Sequence, residues 1–167
     1  TFEISFDKIA FAFDIVDELG RTKPEKLAML HVSEDGTERR FTFQDIKKES
    51  ARAANYFKSL GIKRGDRVML VLKRHYQFWF AVLGLHKLGA IAIPATNQLL
   101  EKDFVYRFEA GKVKAILCTA DGDVAAAVDA AAAKSPLLQH KIIVNGEREG
   151  WRSFNEEYKM YSSHFER

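Results

Sequence analysis

The residues best placed to do chemistry form a short basic run, Lys73-Arg74-His75, between an apolar stretch and a helical one. The free N–H groups and dipole of a helix N-terminus favour an anion at such a place, so a phosphate can dock there; a solvated basic turn is the plainer account. The five histidines, at 31, 75, 86, 140 and 164, fall on different elements with no metal-ligand spacing such as H-E-x-x-H, and no metal site is expected. His86, inside an apolar helical stretch, reads as a partly buried packing residue. Cys118 sits between Leu117 and Thr119 without a basic neighbour to stabilise a thiolate, and is expected to be an inert strand thiol. Asp121-Gly-Asp123 resembles part of a calcium loop but lacks its distal glutamate, and a helix-capping loop accounts for it better. Neither G-x-x-x-x-G-K-[ST] nor G-x-G-x-x-G occurs, so the backbone cradle of the known nucleotide loops is missing. Trp79, Phe80, Tyr106 and Phe108 are expected in the core, and as stacking surfaces only where a cleft exposes them.

The element that must position these groups runs from Gly65 to Gln98. Arg67–Leu72 is apolar on both alternate faces, as a strand covered on both sides of a sheet must be. QFWFAVLGLHKL, 77–88, is apolar nearly all round and predicts a sandwiched crossover helix stopped by Gly89. Ala90–Ile93 predicts the next buried strand, closed by Pro94, which has no N–H for a central ladder. Upstream, Ile9, Phe13, Val16 and Leu19 repeat at helical spacing up to Gly20. LAMLHV and ERRFTF flank Asp35-Gly36 and predict an antiparallel ribbon. Thr42 and Asp45 form a capping box for a helix that ends at Gly61-Ile62. Downstream, the pattern predicts a helix over 101–110, a buried strand over 115–119 and an alanine-rich helix capped by Asp121 or Asp123. A strand over 142–144 and a last helix opened by Ser153 and Glu156 follow. Strands alternating with helices give an α/β fold: a mostly parallel, doubly wound sheet with helices on both faces, plus the small ribbon near the N-terminus. Ligands of such sheets lie beyond the carboxyl ends of the strands, which directs attention to 73–75, 94–98, 119–123 and 145–150.

A chain of 167 residues, 47% hydrophobic, fills one core. It is expected to be a single unit over 1–167, with the first helix and ribbon in 1–45 and the parallel α/β part in 46–167. The 26 basic and 23 acidic residues give only +3 without a Lys/Arg block, so nucleic acid is not an expected partner. One cysteine fits a reducing compartment, and no apolar run reaches the ~20 residues of a membrane span, so a cytoplasmic protein without membrane contact is expected. The start carries neither Met nor a signal peptide, which reads as a chain trimmed from a longer one.

LGIKRGDRVMLVL, FWFAVLGLHKLGAIAIPATNQL and DFVYRFEAGKVKAIL together resemble the N-terminal part of AMP-forming acyl-CoA synthetases, most closely the medium-chain or acetyl-CoA synthetase branch. FAFDIVDEL, RRFTFQDIKKES and GWRSFNEEYK fall in the family's order around them, so the resemblance covers almost the whole chain. It rests on a scaffold pattern, not on catalytic residues. It implies a longer protein that uses ATP and Mg²⁺ to turn a small-molecule carboxylate into an acyl-adenylate and pyrophosphate, then transfers the acyl group to CoA. The family's Ser/Thr/Gly-rich ATP loop and catalytic lysine have no counterpart here, so no catalytic residue is assigned, the fragment alone is expected to be inactive, and none of these ligands is expected to bind it tightly. The family's P-x-T-x-Q segment, whose glutamine is associated with CoA, matches Pro94 to Gln98; Gln98 is the CoA candidate, with Thr96 and Asn97 beside it. The sequence departs from the family at Lys73, where Pro is usual, and at Tyr76-Gln77, where Pro-Glu is usual. A self-contained Rossmann-like nucleotide- or CoA-binding module and a non-catalytic interaction domain are the competing readings. As a piece of a larger domain the chain is expected to self-associate through the aromatic first helix or the Tyr/Phe face of the last.

Overall fold

The computed structural model describes residues 10–167. The chain enters through wide, π-type turns over Phe11–Asp17 that tighten into helix α1, Glu18–Thr22. The buried positions here are Ala12, Val16 and Gly20, one face at a spacing of four, so the apolar stripe lies one residue away from the expected Phe13 and Leu19. Ile9, the first residue of that expected stripe, lies outside the described residues. Strands β1, Leu27–Val32, and β2, Glu38–Thr42, pair antiparallel about the Asp35-Gly36 turn, and Gly36 takes the positive φ of 83° that this turn requires.

Helix α2, Phe43–Ser59, opens with the expected capping box: Thr42 Oγ1 accepts from the Asp45 N–H at 3.1 Å, and the Asp45 carboxylate accepts from the Thr42 N–H at 2.9 Å. It closes in a Schellman turn, with Gly61 N–H donating to the Lys58 carbonyl and Ile62 N–H to that of Phe57. Strand β3, Arg67–Val71, leads to helix α3, Gln77–Leu88, and on to β4, Ile91–Pro94. Helix α4, Glu101–Ala110, strand β5, Val113–Thr119, helix α5, Val124–Ala132, and strand β6, His140–Val144, follow. A two-residue strand, β7, Arg152–Ser153, a one-turn helix, α6, Phe154–Glu157, and a 3₁₀ turn over Tyr158–Met160 complete the described elements.

Among the described residues the main sheet is five-stranded and parallel, in the order β4-β3-β5-β6-β7. Alternation sorts its side chains into two cores. Val68, Leu70, Leu117, Ile142 and Val144 meet α2, α3 and Phe154, while Met69, Val71, Ile116, Cys118 and Ile143 meet Phe104 and Phe108 of α4 and the alanine face of α5. Helix α3 is buried nearly all round; of its residues only Trp79 and His86 are exposed. It meets α2 at very short range, because Gly84 has no side chain: a Cβ there would lie 2.9 Å from both Ala53 Cβ and the Ala54 nitrogen. Lys87, with its side chain 1% exposed, reaches across to Asp17 at 2.8 Å and fastens the N-terminal turns to α3. Burial pushes the Asp17 carboxyl up and the Lys87 ammonium down from their ordinary ranges, and the mutual ion pair works against both shifts.

Strand β4 is not a buried strand but the sheet's edge: Ile91 is 45% exposed, and Pro94 is exposed, consistent with a residue lacking the N–H of a central ladder. Trp79 and Tyr106 lie on solvent faces of their helices, while Phe80 and Phe108 are buried as expected. Neither Asp121 nor Asp123 caps α5; Asp123 occupies the N-cap position without a side-chain bond. The Ser153 hydroxyl does accept from the Glu156 N–H, at 3.4 Å, but the helix it opens lasts one turn. That helix's aromatic face is not free for association, since Phe154 is fully buried and Tyr158 and Tyr161 pack on the same core.

Candidate functional site

The carboxyl ends of β3, β5 and β6 open into a cleft of about 760 Å³, walled on its far side by the β1–β2 ribbon. Its floor comes from the loops that follow the strands, and the backbone there bends sharply. Arg74, after β3, has φ 49°, and Asn145, after β6, has φ 58°, a region that asparagine enters more readily than most residues. The ribbon is tied to the β3 loop by His31, whose Nε2 lies 3.0 Å from the Arg74 carbonyl. A carbonyl only accepts, so this ring nitrogen carries the proton.

The cleft is rich in cations. Lys73, Arg74 and Arg39 line it, against Glu34 and Asp121. Arg39 is partly committed: its guanidinium stacks over the Tyr76 ring at 5.2 Å and donates to Ser33 Oγ at 3.1 Å. Lys73 and Arg74 make no ion pair among the described residues. The basic run singled out in the sequence therefore lies in a concave site and not on an open turn.

Of the P-x-T-x-Q residues, only Asn97 lines the cleft. Thr96 and Gln98 are exposed on the turn after the edge strand, where Thr96 Oγ1 accepts from the Gln98 N–H at 3.3 Å and fixes the turn. Cys118 is buried and burial pushes its thiol up to about 12, so it is not a nucleophile. Among the described residues no three His, Cys, Asp or Glu side chains converge as metal ligands.

Two polar groupings escaped sequence reasoning. Gln77, 1% exposed, bonds to Asn145 and through it to Asn155, joining α3, β6 and α6 beneath the cleft. The sequence places these residues far apart, and only the departure from the family's Pro-Glu at 76–77 marks one of them. Asp129 gathers Lys141 at 2.7 Å, Arg148 at 2.8 Å and Trp151 Nε1 at 2.9 Å. Desolvation opposes its ionisation, but those three donors outweigh it and hold the carboxyl below its ordinary range.

A family model described as AMP-binding enzyme matches residues 16–164. The chain belongs to that family. It is 38% identical over 159 residues to the mitochondrial acyl-coenzyme A synthetase ACSM5 of Rattus norvegicus, covering 91% of this chain and 27% of that protein. It is 36% identical over 160 residues to mitochondrial ACSM3 of Homo sapiens, again covering 91% and 27%. The chain thus spans about a quarter of the length of these relatives. Among solved structures, the anthranilate CoA ligase AuaEII in complex with anthranoyl-AMP superposes with a TM-score of 0.77 at 23% identity, covering 93% of this chain and 30% of that one, which shows the shared fold. The acyl-CoA synthetase of Brucella canis superposes with a TM-score of 0.72 at 26% identity, covering 85% of this chain and 26% of that one. The doubly wound architecture expected from the strand and helix pattern is therefore that of AMP-binding enzymes. No helix of the described residues is long and apolar enough to cross a membrane.

Proposed function

We propose that this chain is the N-terminal scaffold portion of an AMP-forming acyl-CoA synthetase, the longer protein joining a small-molecule carboxylate to CoA at the expense of ATP. The observation that carries this reading is the likeness to acyl-CoA synthetases along 91% of the chain combined with a span of 27% of their length. The 167 residues supply the sheet, the sandwiched helix α3 and the basic cleft, and they contain no glycine-rich phosphate loop.

ATP in such a reaction supplies the adenylyl group that activates the carboxylate. The described residues offer Lys73, Arg74 and Asn97 toward an anionic ligand at the cleft but form no ligand set for Mg²⁺, so no step through the ion is assigned to them. Electrostatic stabilisation of a phosphoryl group in transfer needs several preorganised donors aimed at it, and Lys73 and Arg74, on one loop, do not enclose one.

For CoA the fit is to the turn at 96–98. Gln98 is exposed, its backbone is held by Thr96, and its neutral amide can both donate and accept. It belongs to the CoA path of the longer protein, outside the cleft that Asn97 lines. In the longer protein, Gln98→Ala is expected to raise the KM for CoA by the loss of one hydrogen bond, ~0.5–1.5 kcal/mol, while leaving carboxylate-dependent pyrophosphate release unchanged. Unaltered CoA dependence would remove Gln98 from the path.

The chain forms one unit. In isolation it self-associates through apolar surface such as Leu30 and Val32 of the ribbon and Trp79 of α3, which are 44%, 56% and 49% exposed, and light scattering checks this. Its buried free thiol fits a reducing compartment; the cytoplasm meets that condition, and the relatives named above are mitochondrial.

A further inference from the structure

Beneath the cleft a relay of side-chain amides runs toward His75 from an unambiguous donor. The backbone N–H of Asn145 can only donate, and it meets Asn155 Oδ1 at 3.0 Å. The other arm of the Asn155 amide is then the donor Nδ2, which lies 2.8 Å from Asn145 Oδ1. Gln77 Nε2 donates to that same oxygen at 2.6 Å. Turning either asparagine amide over would set donors against donors. Asn145 Nδ2 is thereby directed to Gln77 Oε1 at 3.4 Å and to His75 Nδ1 at 3.3 Å. An amide nitrogen has no lone pair to offer, so His75 Nδ1 must accept, and the ring proton sits on Nε2.

We infer that this relay locks His75 as the neutral Nε2–H tautomer and that His75, with Lys73 and Arg74, forms a phosphate-binding site in the cleft. Lys73 and Arg74 supply charge, and His75 supplies a directed donor without charge. Nε2 has no protein partner among the described residues, on a side chain that lines the cleft. The charged and titratable groups that line the cleft with it are Lys73, Arg74 and Tyr76 beside it in the chain, His31, Arg39 and Glu34 from the ribbon and its turn, and Asp121 from the loop after β5. Protonation would place an Nδ1–H against Asn145 Nδ2 and break the relay. Burial also holds the imidazole below its ordinary range; Asp121 opposes this and His31 adds to it. The positive end of α3, which begins at Gln77, acts in the same sense.

The site draws on Lys73 and Gln77, at which the chain departs from the family pattern, and its test has no catalytic readout, so it stands or falls apart from the acyl-CoA synthetase reading. The experiment is imidazole ¹⁵N NMR on the 167-residue chain from about pH 5 to 8, with and without inorganic pyrophosphate. Wild-type His75 is expected to show Nε2 protonated and Nδ1 bare in its neutral form and to charge only below the pH at which a free imidazole does, and pyrophosphate is expected to shift its Nε2 resonance. Asn155→Asp keeps an acceptor for the Asn145 N–H but loses the donor to Oδ1; in that variant His75 is expected to charge at a higher pH than in the wild type. Lys73→Met is expected to weaken pyrophosphate binding roughly tenfold, the loss of one charge-assisted hydrogen bond. Tighter binding of ATP or CoA than of pyrophosphate identifies a nucleotide as the phosphate's source, and equal affinity identifies the free diphosphate. A proton on Nδ1, an imidazolium forming near pH 6.5, or pyrophosphate that leaves the His75 resonances unmoved would overturn the inference. The wild-type tautomer needs no variant to be read, so a variant that fails to fold does not remove the test.

Discussion

Gly84→Ala sets two well-defined effects against each other at the contact between α2 and α3. Considered as an isolated helix position, alanine is better than glycine by about 0.8–1 kcal/mol, so propensity alone forecasts a more stable protein. The contact forecasts the reverse. The new methyl carbon would stand 2.9 Å from Ala53 Cβ, 2.9 Å from the Ala54 nitrogen and 3.1 Å from the Ala53 carbonyl carbon. Two of those atoms are backbone inside a helix and cannot rotate away, so the two helices must part. Overpacking of this kind costs typically ~1–3 kcal/mol, and separation also loosens Phe57, Phe80 and Leu85, all buried in the same core. The expected net result is destabilisation by about 1–2 kcal/mol, or a fall in Tm of roughly 2–8 °C at ~2–4 °C per kcal/mol for a domain of this size. Calorimetry and urea titration of the chain measure it. A Tm equal to or above that of the parent sequence would refute the close approach of α2 and α3, and with it the support for α3 beneath the cleft.

Asp17→Asn leaves Lys87 buried without its counter-charge, and urea titration is expected to show a loss of about 3–5 kcal/mol; the paired change Asp17→Leu with Lys87→Met should recover most of it, because replacing both charges removes the desolvation cost with the pair. Asp129→Asn weakens the bonds from Lys141, Arg148 and Trp151, with an expected loss of about 1–2 kcal/mol at pH 7 in thermal melts. Because the folded carboxyl lies below its unfolded value, the stability it contributes is present above ~pH 4 and disappears as pH falls through the folded pKa, so the two proteins should converge in acid.

Much of the scaffold was legible because it is written in short-range chemistry. Thr42 and Asp45 announce a helix start, Gly61 and Gly89 announce stops, and Asp35-Gly36 announces a hairpin, each through bonds within a few residues. Strand position within the sheet is not local. Ile91 and Ile93 have the composition of a buried strand and lie at the edge because β4 has β3 on one side and, among the described residues, no strand on the other. Helical aromatics posed a similar limit: Trp79 and Phe80 are neighbours in sequence, yet a rotation of about 100° per residue sends one to solvent and the other to the core. The basic run Lys73-Arg74-His75 was visible as chemistry, but whether it lay on an open turn or in a cleft depended on the ribbon folding against it. The amide relay through Gln77, Asn145 and Asn155 left almost no trace, since isolated amide residues have no spacing to betray a partner 68 positions away.

Pyrophosphate release from ATP, Mg²⁺ and a panel of carboxylates distinguishes a scaffold of a larger adenylate-forming enzyme from a chain that is itself a catalyst. None above background is expected from the 167-residue chain, and carboxylate-dependent release, followed by acyl-CoA formation, is expected from the longer protein that contains it. Robust release by the chain alone, or a longer protein that forms neither acyl-adenylate nor thioester with any carboxylate of the panel, would contradict the scaffold reading.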